Sequence, residues 1–339
     1  MFCNSTITDL FLFVFTQLIL HYLLIMEVFI LSKNKRAKQL FSEYFEEWIE
    51  LYKVGAVRPI TLKKYYISQQ HIEKLVPDLK VCDITRRRYQ KLLNDYAISH
   101  EKQTTMDFHH HLKGAILDAV DDGLIAQNPT RKIIIKGKNP RKKRPKFLNQ
   151  HEVQALIRQM DLTNEINWDW FILLILKTGL RFSEALAVTP NDFDFSSQKL
   201  TIDKTWDYKS SKGTFQPTKN KSSKRKVQLD WQTAMQFSQL VKVYPENQPI
   251  FVKGRIFNST VNNRLQVLCK KAEIPSISIH GLRHTHASLL LFADVSIATV
   301  ARRLGHSSMS TTQETYLHII QELENQDNDK IMRHLSTIG

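Results

Sequence analysis

The sequence predicts a mainly α-helical chain of two domains, with a small antiparallel β-sheet in the second. Three observations carry this. From about Ala37 to Asn128, apolar residues recur almost throughout at three- and four-residue steps, the spacing of one helix face. Lys136 to Lys146, KGKNPRKKRPK, is basic, broken by Pro140 and Pro145 and without apolar periodicity, which marks a linker. Beyond it, KLTIDKTWDY (199–208) and RKVQL (225–229) have the alternation and β-branching of strands, separated by a polar, lysine-rich loop.

Size and composition agree. A chain of 339 residues suffices for two domains with a core each, and 42% hydrophobic with 24% charged residues is globular. Lys and Arg number 48 against 33 Asp and Glu, a net charge of +15, which points to a polyanionic partner, most often nucleic acid. Cys3, Cys82 and Cys269 lie far apart with no CxxC pair, arguing against a disulfide framework or a cysteine zinc site. Neither GxGxxG nor GxxxxGK[ST] occurs, so the usual nucleotide-phosphate loops are excluded.

Residues 1–36 form an apolar extension. Leu10 to Leu31, LFLFVFTQLILHYLLIMEVFIL, is long enough to cross a bilayer, yet Gln17, His21 and Glu27 interrupt it and no signal-peptide cleavage site is visible. A membrane anchor, an amphipathic helix packed on the body, and an artefactual extension upstream of a true start at Met26 compete. The last is favoured, and a membrane partner is not expected.

The helical domain spans 37–135. In FSEYFEEWIELYK, Phe41, Tyr44, Phe45, Trp48 and Tyr52 make one face; Leu62, Tyr65, Ile72 and Leu75 make the next. Thr85 can cap a third helix carrying Tyr89, Leu92, Leu93 and Tyr96. A fourth, around Thr105 to Asp121, carries Met106, Leu112, Ile116 and Ala119, and Gly123 and Pro129 end the bundle. Lys63, Lys64, Arg86, Arg87 and Arg88 are presented outward. In the linker, 136–146, Lys136, Lys138, Arg141, Lys142, Lys143 and Arg144 can lie along phosphates.

The second domain spans 147–325, followed by a tail, 326–339. Asn149 with Glu152 reads as a capping box, and WDWFILLILKTG as a buried helix stopped by Gly179. Helices resume at Ser259 to Ala272, Leu282 to Phe292, Ile297 to Leu304 and Thr311 to Ile320.

HGLRHTH (280–286) crowds three histidines and an arginine. His280 and His284 could share a helix face as zinc ligands, but no Glu occupies the second position as in HExxH, so no metal is expected. His109, His110 and His111 diverge by about 100° each on a helix and cannot converge on one ion. Phosphate chemistry without a metal needs fork-shaped cationic donors, a nucleophile and a proton carrier. Arg181 in TGLRFSEAL, Arg283 in HGLRHTH, the lysines of PTKNKSSKRK, and His306 followed ten residues later by Tyr316 in LGHSSMSTTQETY supply each part.

The order G-L-R-x-S-E, strand–Lys–strand, H-x-L-R-H, L-G-H and Tyr closely resembles the tyrosine recombinase (phage integrase) family, from about Phe41 to Ile320. The resemblance implies a two-domain DNA clamp: a helical core-DNA-binding domain and an α+β catalytic domain. It implies DNA strand breaking and rejoining through a covalent 3′-phosphotyrosyl link, serving integration or excision of a phage or mobile element in the cytoplasm. Tyr316 would be the nucleophile, Arg181 and Arg283 would clamp the phosphate, and His280 would assist the tyrosine's proton transfer. His306 would support the transition state, and Lys221, chosen over Lys219, would protonate the departing 5′ oxygen. Glu184 would orient the arginine region, and His284 would serve helix packing or hydrogen-bonding support. The implied partners are attachment-site duplexes, a homotetramer on two sites with docking by the C-terminal tail, and accessory DNA-bending or excision proteins; no cofactor is implied. A replicon resolvase of the same chemistry, a type IB topoisomerase and an inactive DNA-binding remnant are the alternatives.

Overall fold

The computed structural model describes residues 17–18, 20–24, 26–27, 31–139, 147–210, 212–218, 220–310, 312–316 and 336. It divides into two compact units, Met1–Lys142 and Lys143–Gly339.

The first unit is built on four helices, Phe41–Tyr52, Pro59–Leu75, Arg86–Ala97 and Lys102–Asp121. Their apolar stripes meet in one core: Phe41, Phe45 and Ile49 of the first, Ile72 of the second, Tyr89, Leu92 and Leu93 of the third, Leu112 and Ile116 of the fourth. Tyr52, expected on the buried face, is exposed, because its helix stops there and the stripe runs past the core. Thr85 caps as its sequence context suggests, accepting from the Arg88 N–H at 3.3 Å. The fourth helix starts three residues earlier than its apolar periodicity, since Lys102 to Thr104 are polar, solvent-facing first-turn residues. Among the described residues of 1–31, no helix is long and apolar enough to cross a membrane, and Leu18, Leu20, Leu23 and Leu24 are exposed. Lys136 and Lys138 are exposed, and the Lys138 N–H donates to the His100 carbonyl at 2.8 Å. Arg141, Lys142, Lys143 and Arg144 lie outside the described residues, as do Lys219 and nearly all of the tail.

The second unit surrounds the helix Trp168–Thr178, of which only Trp168 and Lys177 are not buried. This all-round burial explains its apolar run. Its one buried carboxylate, Asp169, is met by Arg264 of Asn258–Lys271, with Nε and Nη2 at 2.7 and 2.6 Å. The Asn149–Glu152 capping box forms at the start of Gln150–Arg158. Three strands, β1 (Phe193–Asp194), β2 (Lys199–Ile202) and β5 (Arg225–Gln228), make an antiparallel sheet in the order β1-β2-β5, with Leu200 opposite Val227.

The single strand expected over 199–208 is two. Its second half, β3 (Lys204–Trp206), pairs with β4 (Phe215–Pro217) in a separate ribbon. The reason lies in the partner: before Arg225 the chain winds into a 3-10 turn, Lys221–Ser223, so the ladder ends at Ile202–Arg225 and β3 finds its hydrogen bonds elsewhere. The helix carrying HGLRHTH also begins earlier than expected, running Ile279–Phe292 with Ser278 as its cap, so the whole motif is helical. The helix Trp231–Leu240 has no clear apolar stripe in the sequence, because Trp231 and Met235 face solvent.

A candidate phosphate site at two glycine-closed helix ends

Two helices of the second unit end in the same way. Trp168–Thr178 is closed by Gly179 at φ 69° and Ile297–Leu304 by Gly305 at φ 68°. The left-handed turn ends each helix and leaves its last carbonyls without intrahelical partners, at the negative end of the helix dipole. Arginines supply the partners. Arg225 Nε donates to the Arg303 carbonyl at 2.6 Å, Arg283 Nη2 to the Leu304 carbonyl at 2.7 Å, and Arg181 Nη2 to the Gly305 carbonyl at 3.0 Å. Three consecutive carbonyls thus take three different arginines. Arg283 also reaches the other helix end, donating from Nη1 to the Gly179 carbonyl at 2.5 Å.

One carboxylate stands among these cations. Glu184, in the short helix Phe182–Leu186, accepts from Arg181 Nη1 at 2.6 Å and from the Arg181 backbone N–H at 2.9 Å. Arg225 grips it from the other side, Nη2 to Oε2 at 3.0 Å and Nη1 to Oε1 at 3.3 Å. Burial alone would raise the Glu184 pKa, but Arg225 and Arg181 together hold it below the usual carboxylate range. Arg283, only 3% exposed, is bound by neutral carbonyls, and burial, with Arg181 beside it, pushes its pKa down to about 9. Three guanidiniums therefore stand here against one carboxylate, which bonds two of them, Arg181 and Arg225. That imbalance in a partly buried setting favours an anion, and fork-shaped donors suit phosphate oxygens.

The remaining expected residues gather around this centre, with one exception. His306 follows Gly305, and its Nδ1 lies 2.7 Å from Thr312 Oγ1; burial, then Arg283 and Arg181, lowers its pKa to about 4, so it is neutral at pH 7. Tyr316, in the helical residues 312–316, is 2% exposed and packs with Ala287, Leu291, Val300 and Leu304. Burial raises its phenol to about 12 against the opposing pull of Arg283. The phenolic oxygen lies 2.9 Å from Nδ1 of His284, a residue expected only to support packing or hydrogen bonding. His280, exposed in the first turn of its helix, stands edge-on to the His284 ring, centroids 4.8 Å apart, and partial desolvation, with Arg283 and Arg181, lowers its pKa. Lys221 is the exception: its side chain is exposed, at the start of the 3-10 turn whose Ser223 Oγ accepts from Arg181 Nη1 at 3.3 Å.

Sequence reasoning missed Arg225, Ser223, Arg303 and the role of His286. A signal existed for Arg225: in RKVQL it shares the inward strand face with buried Val227, and a guanidinium on that face needs a buried acid. Buried His286 bonds through Nδ1 to the Leu176 carbonyl at 2.8 Å and accepts at Nε2 from Arg303 Nε at 2.9 Å, which fixes a neutral ring with its proton on Nδ1. Burial lowers its pKa to about 3. In the first unit His109 meets the Tyr89 hydroxyl at 2.8 Å and His111 the Ser68 hydroxyl at 2.9 Å, so these two of the three adjacent histidines serve the helical packing.

Known proteins resemble this chain in sequence and in fold. Residues 146–322 match the model of the phage integrase family, and residues 40–96 that of the phage integrase N-terminal SAM-like domain. The integrase of Staphylococcus phage L54a is 24% identical over 342 residues, covering 88% of this chain and 95% of that protein. A tyrosine recombinase of Thermosipho africanus is 31% identical over 210 residues, 59% of this chain and 66% of that one. Among solved structures, the Tn1549 transposon integrase in complex with a circular intermediate DNA superimposes with a TM-score of 0.69 at 17% identity, over 81% of this chain and 94% of that one. A lambda integrase dimer bound to a COC′ core site gives 0.59 at 16%, over 80% and 75%.

Proposed function

The chain belongs to the phage integrase family and is a tyrosine-type site-specific recombinase, and we propose that it cuts and rejoins duplex DNA through a bond between Tyr316 and a 3′ phosphate. The observation that carries this reading is the excess of guanidinium over carboxylate at the two glycine-closed helix ends, with the Tyr316 phenol held against His284, the residue next to Arg283.

In this reading the scissile phosphate sits against Arg181 and Arg283, whose carbonyl and carboxylate partners hold them without rearrangement at the moment of reaction. The phenolic oxygen attacks phosphorus, the O–P bond to Tyr316 forms, and the bond to the 5′ oxygen breaks. His280 assists removal of the phenol proton. His306, neutral, donates a hydrogen bond to the phosphate, and Lys221 protonates the departing 5′ oxygen. Lys221 is exposed before DNA binds, but its turn is tied to Arg181 through Ser223, so a duplex on the arginines brings a backbone within the lysine's reach. Rejoining is the reverse, with a 5′ hydroxyl of a partner duplex as nucleophile.

The structural relatives are integrases bound to DNA, which together with the net charge of +15 supports DNA as the partner here. The near full-length match to a phage integrase favours integration or excision of a mobile element over replicon resolution. A homotetramer on two attachment cores, with accessory DNA-bending or excision proteins, is the assembly this activity calls for. The test is covalent capture: wild-type protein should form a DNA adduct on a nicked suicide substrate, and Tyr316→Phe should form none while still binding DNA. An undiminished adduct from Tyr316→Phe would reject the reading.

A further inference from the structure

The structure brings to the phenol of Tyr316 a histidine that the family motif does not assign to it. Nδ1 of His284 is 2.9 Å from the phenolic oxygen, and the two rings meet edge to face with centroids 5.7 Å apart. Both residues are anchored. His284 sits mid-helix in Ile279–Phe292, one residue after Arg283, with His280 edge-on behind it. The Tyr316 ring is closed in by Ala287 and Leu291 of the same helix and Val300 and Leu304 of Ile297–Leu304. A ring so packed has little freedom, so the direction of its O–H is set by the polar partner that reaches it among the described residues, His284.

We infer that His284 is a further catalytic residue: it aims the Tyr316 hydroxyl and takes its proton as the phenol attacks. The inference rests on the assignment of Tyr316 as nucleophile. Burial keeps the phenol protonated in the resting protein, so a proton must leave when the oxygen–phosphorus bond forms. A neutral imidazole with its own proton on Nε2 presents the Nδ1 lone pair to that hydroxyl and can accept it. The balance is complete within the site. The phenol proton passes to Nδ1, the O–P bond to tyrosine forms, the bond between phosphorus and the 5′ oxygen breaks, and that leaving oxygen takes a proton from a lysine ammonium. The resulting imidazolium stands near Arg283, a repulsion that the negative charge of the bound phosphate offsets. When the 5′ hydroxyl attacks in the rejoining step, the same proton returns to the tyrosine. His280, one helical turn away with its ring edge-on to that of His284, then assists by orienting the His284 ring.

The test compares His284→Asn with the native protein on two nicked suicide substrates, one with the natural 5′ oxygen and one with a bridging 5′ sulfur, which departs without protonation. Asn keeps a hydrogen-bond acceptor close to the Nδ1 position but cannot take up a proton. The single-turnover rate of covalent capture should fall by roughly a hundredfold or more on both substrates, with DNA affinity unchanged. Lys221→Ala, by contrast, should be rescued by the sulfur substrate. His284→Gln serves the same comparison if the Asn variant does not bind DNA. Capture within threefold of native, or a loss that the sulfur substrate restores, overturns the inference. An adduct formed by Tyr316→Phe would instead overturn the choice of nucleophile, leaving a distinct signature.

Discussion

Arg181 and Arg283 are held by adjacent carbonyls of one helix end, Gly305 and Leu304, at 3.0 and 2.7 Å, although they lie 102 residues apart in the chain. Neither arginine can shift without disturbing the turn that carries His306. The pair behaves as a single preformed donor array, and its variants should show it.

Arg283→Ala is expected to lose both chemistry and stability. Loss of one charged donor to a transition state slows cleavage by roughly a hundred- to a thousandfold, and two buried carbonyls, of Gly179 and Leu304, lose their partner. Arg283→Lys should recover little of either, because a point charge cannot span two carbonyls and a phosphate. Single-turnover capture and urea unfolding on the same preparations separate the two losses. Arg181→Ala should slow cleavage similarly.

Glu184→Ala should destabilise the protein by on the order of 3–5 kcal/mol, since it leaves two guanidiniums without their shared anion. The folded pKa of Glu184 lies below the ordinary carboxylate value. Its contribution is therefore complete above about pH 4.3 and lost as pH falls through the folded value. The stability gap between native protein and Glu184→Gln should narrow below pH 4 in urea titrations.

Histidine burial gives a second pH effect at higher pH. His306 and His109 titrate near 4 and His286 near 3 in the folded chain, against about 6.5 unfolded. Below about pH 6.5 the unfolded state binds more protons, so stability is full above that value and declines toward pH 4. Each histidine adds at most about 1.4 kcal/mol per pH unit. Equal unfolding free energies at pH 7 and pH 5 would contradict this burial.

DNA affinity should fall steeply with salt, as counterions are released by each phosphate contact. A log–log plot of binding constant against salt should be linear and steep, and Arg87→Ala, an exposed side chain of the first unit, should reduce its slope by about one if that helix faces the duplex. A flat plot would argue against phosphate contacts altogether.

Much of this was legible in the chain itself. Helix stripes at three- and four-residue spacing, the stop at Gly179, the Asn149–Glu152 cap and the order of Arg181, Arg283, His306 and Tyr316 are side-chain patterns, and side chains are what a sequence records. The break between β2 and β3 escaped it, because alternation continues through Asp203 while the pairing partner changes. Arg225 on Glu184, Arg283 across two helix ends and His284 on the Tyr316 phenol were decided by tertiary structure alone. The physical reason is the nature of the partners. Most of what holds these arginines is backbone carbonyl, which every residue carries alike, so nothing in the letters tells which helix end an arginine will close until the fold brings the two together.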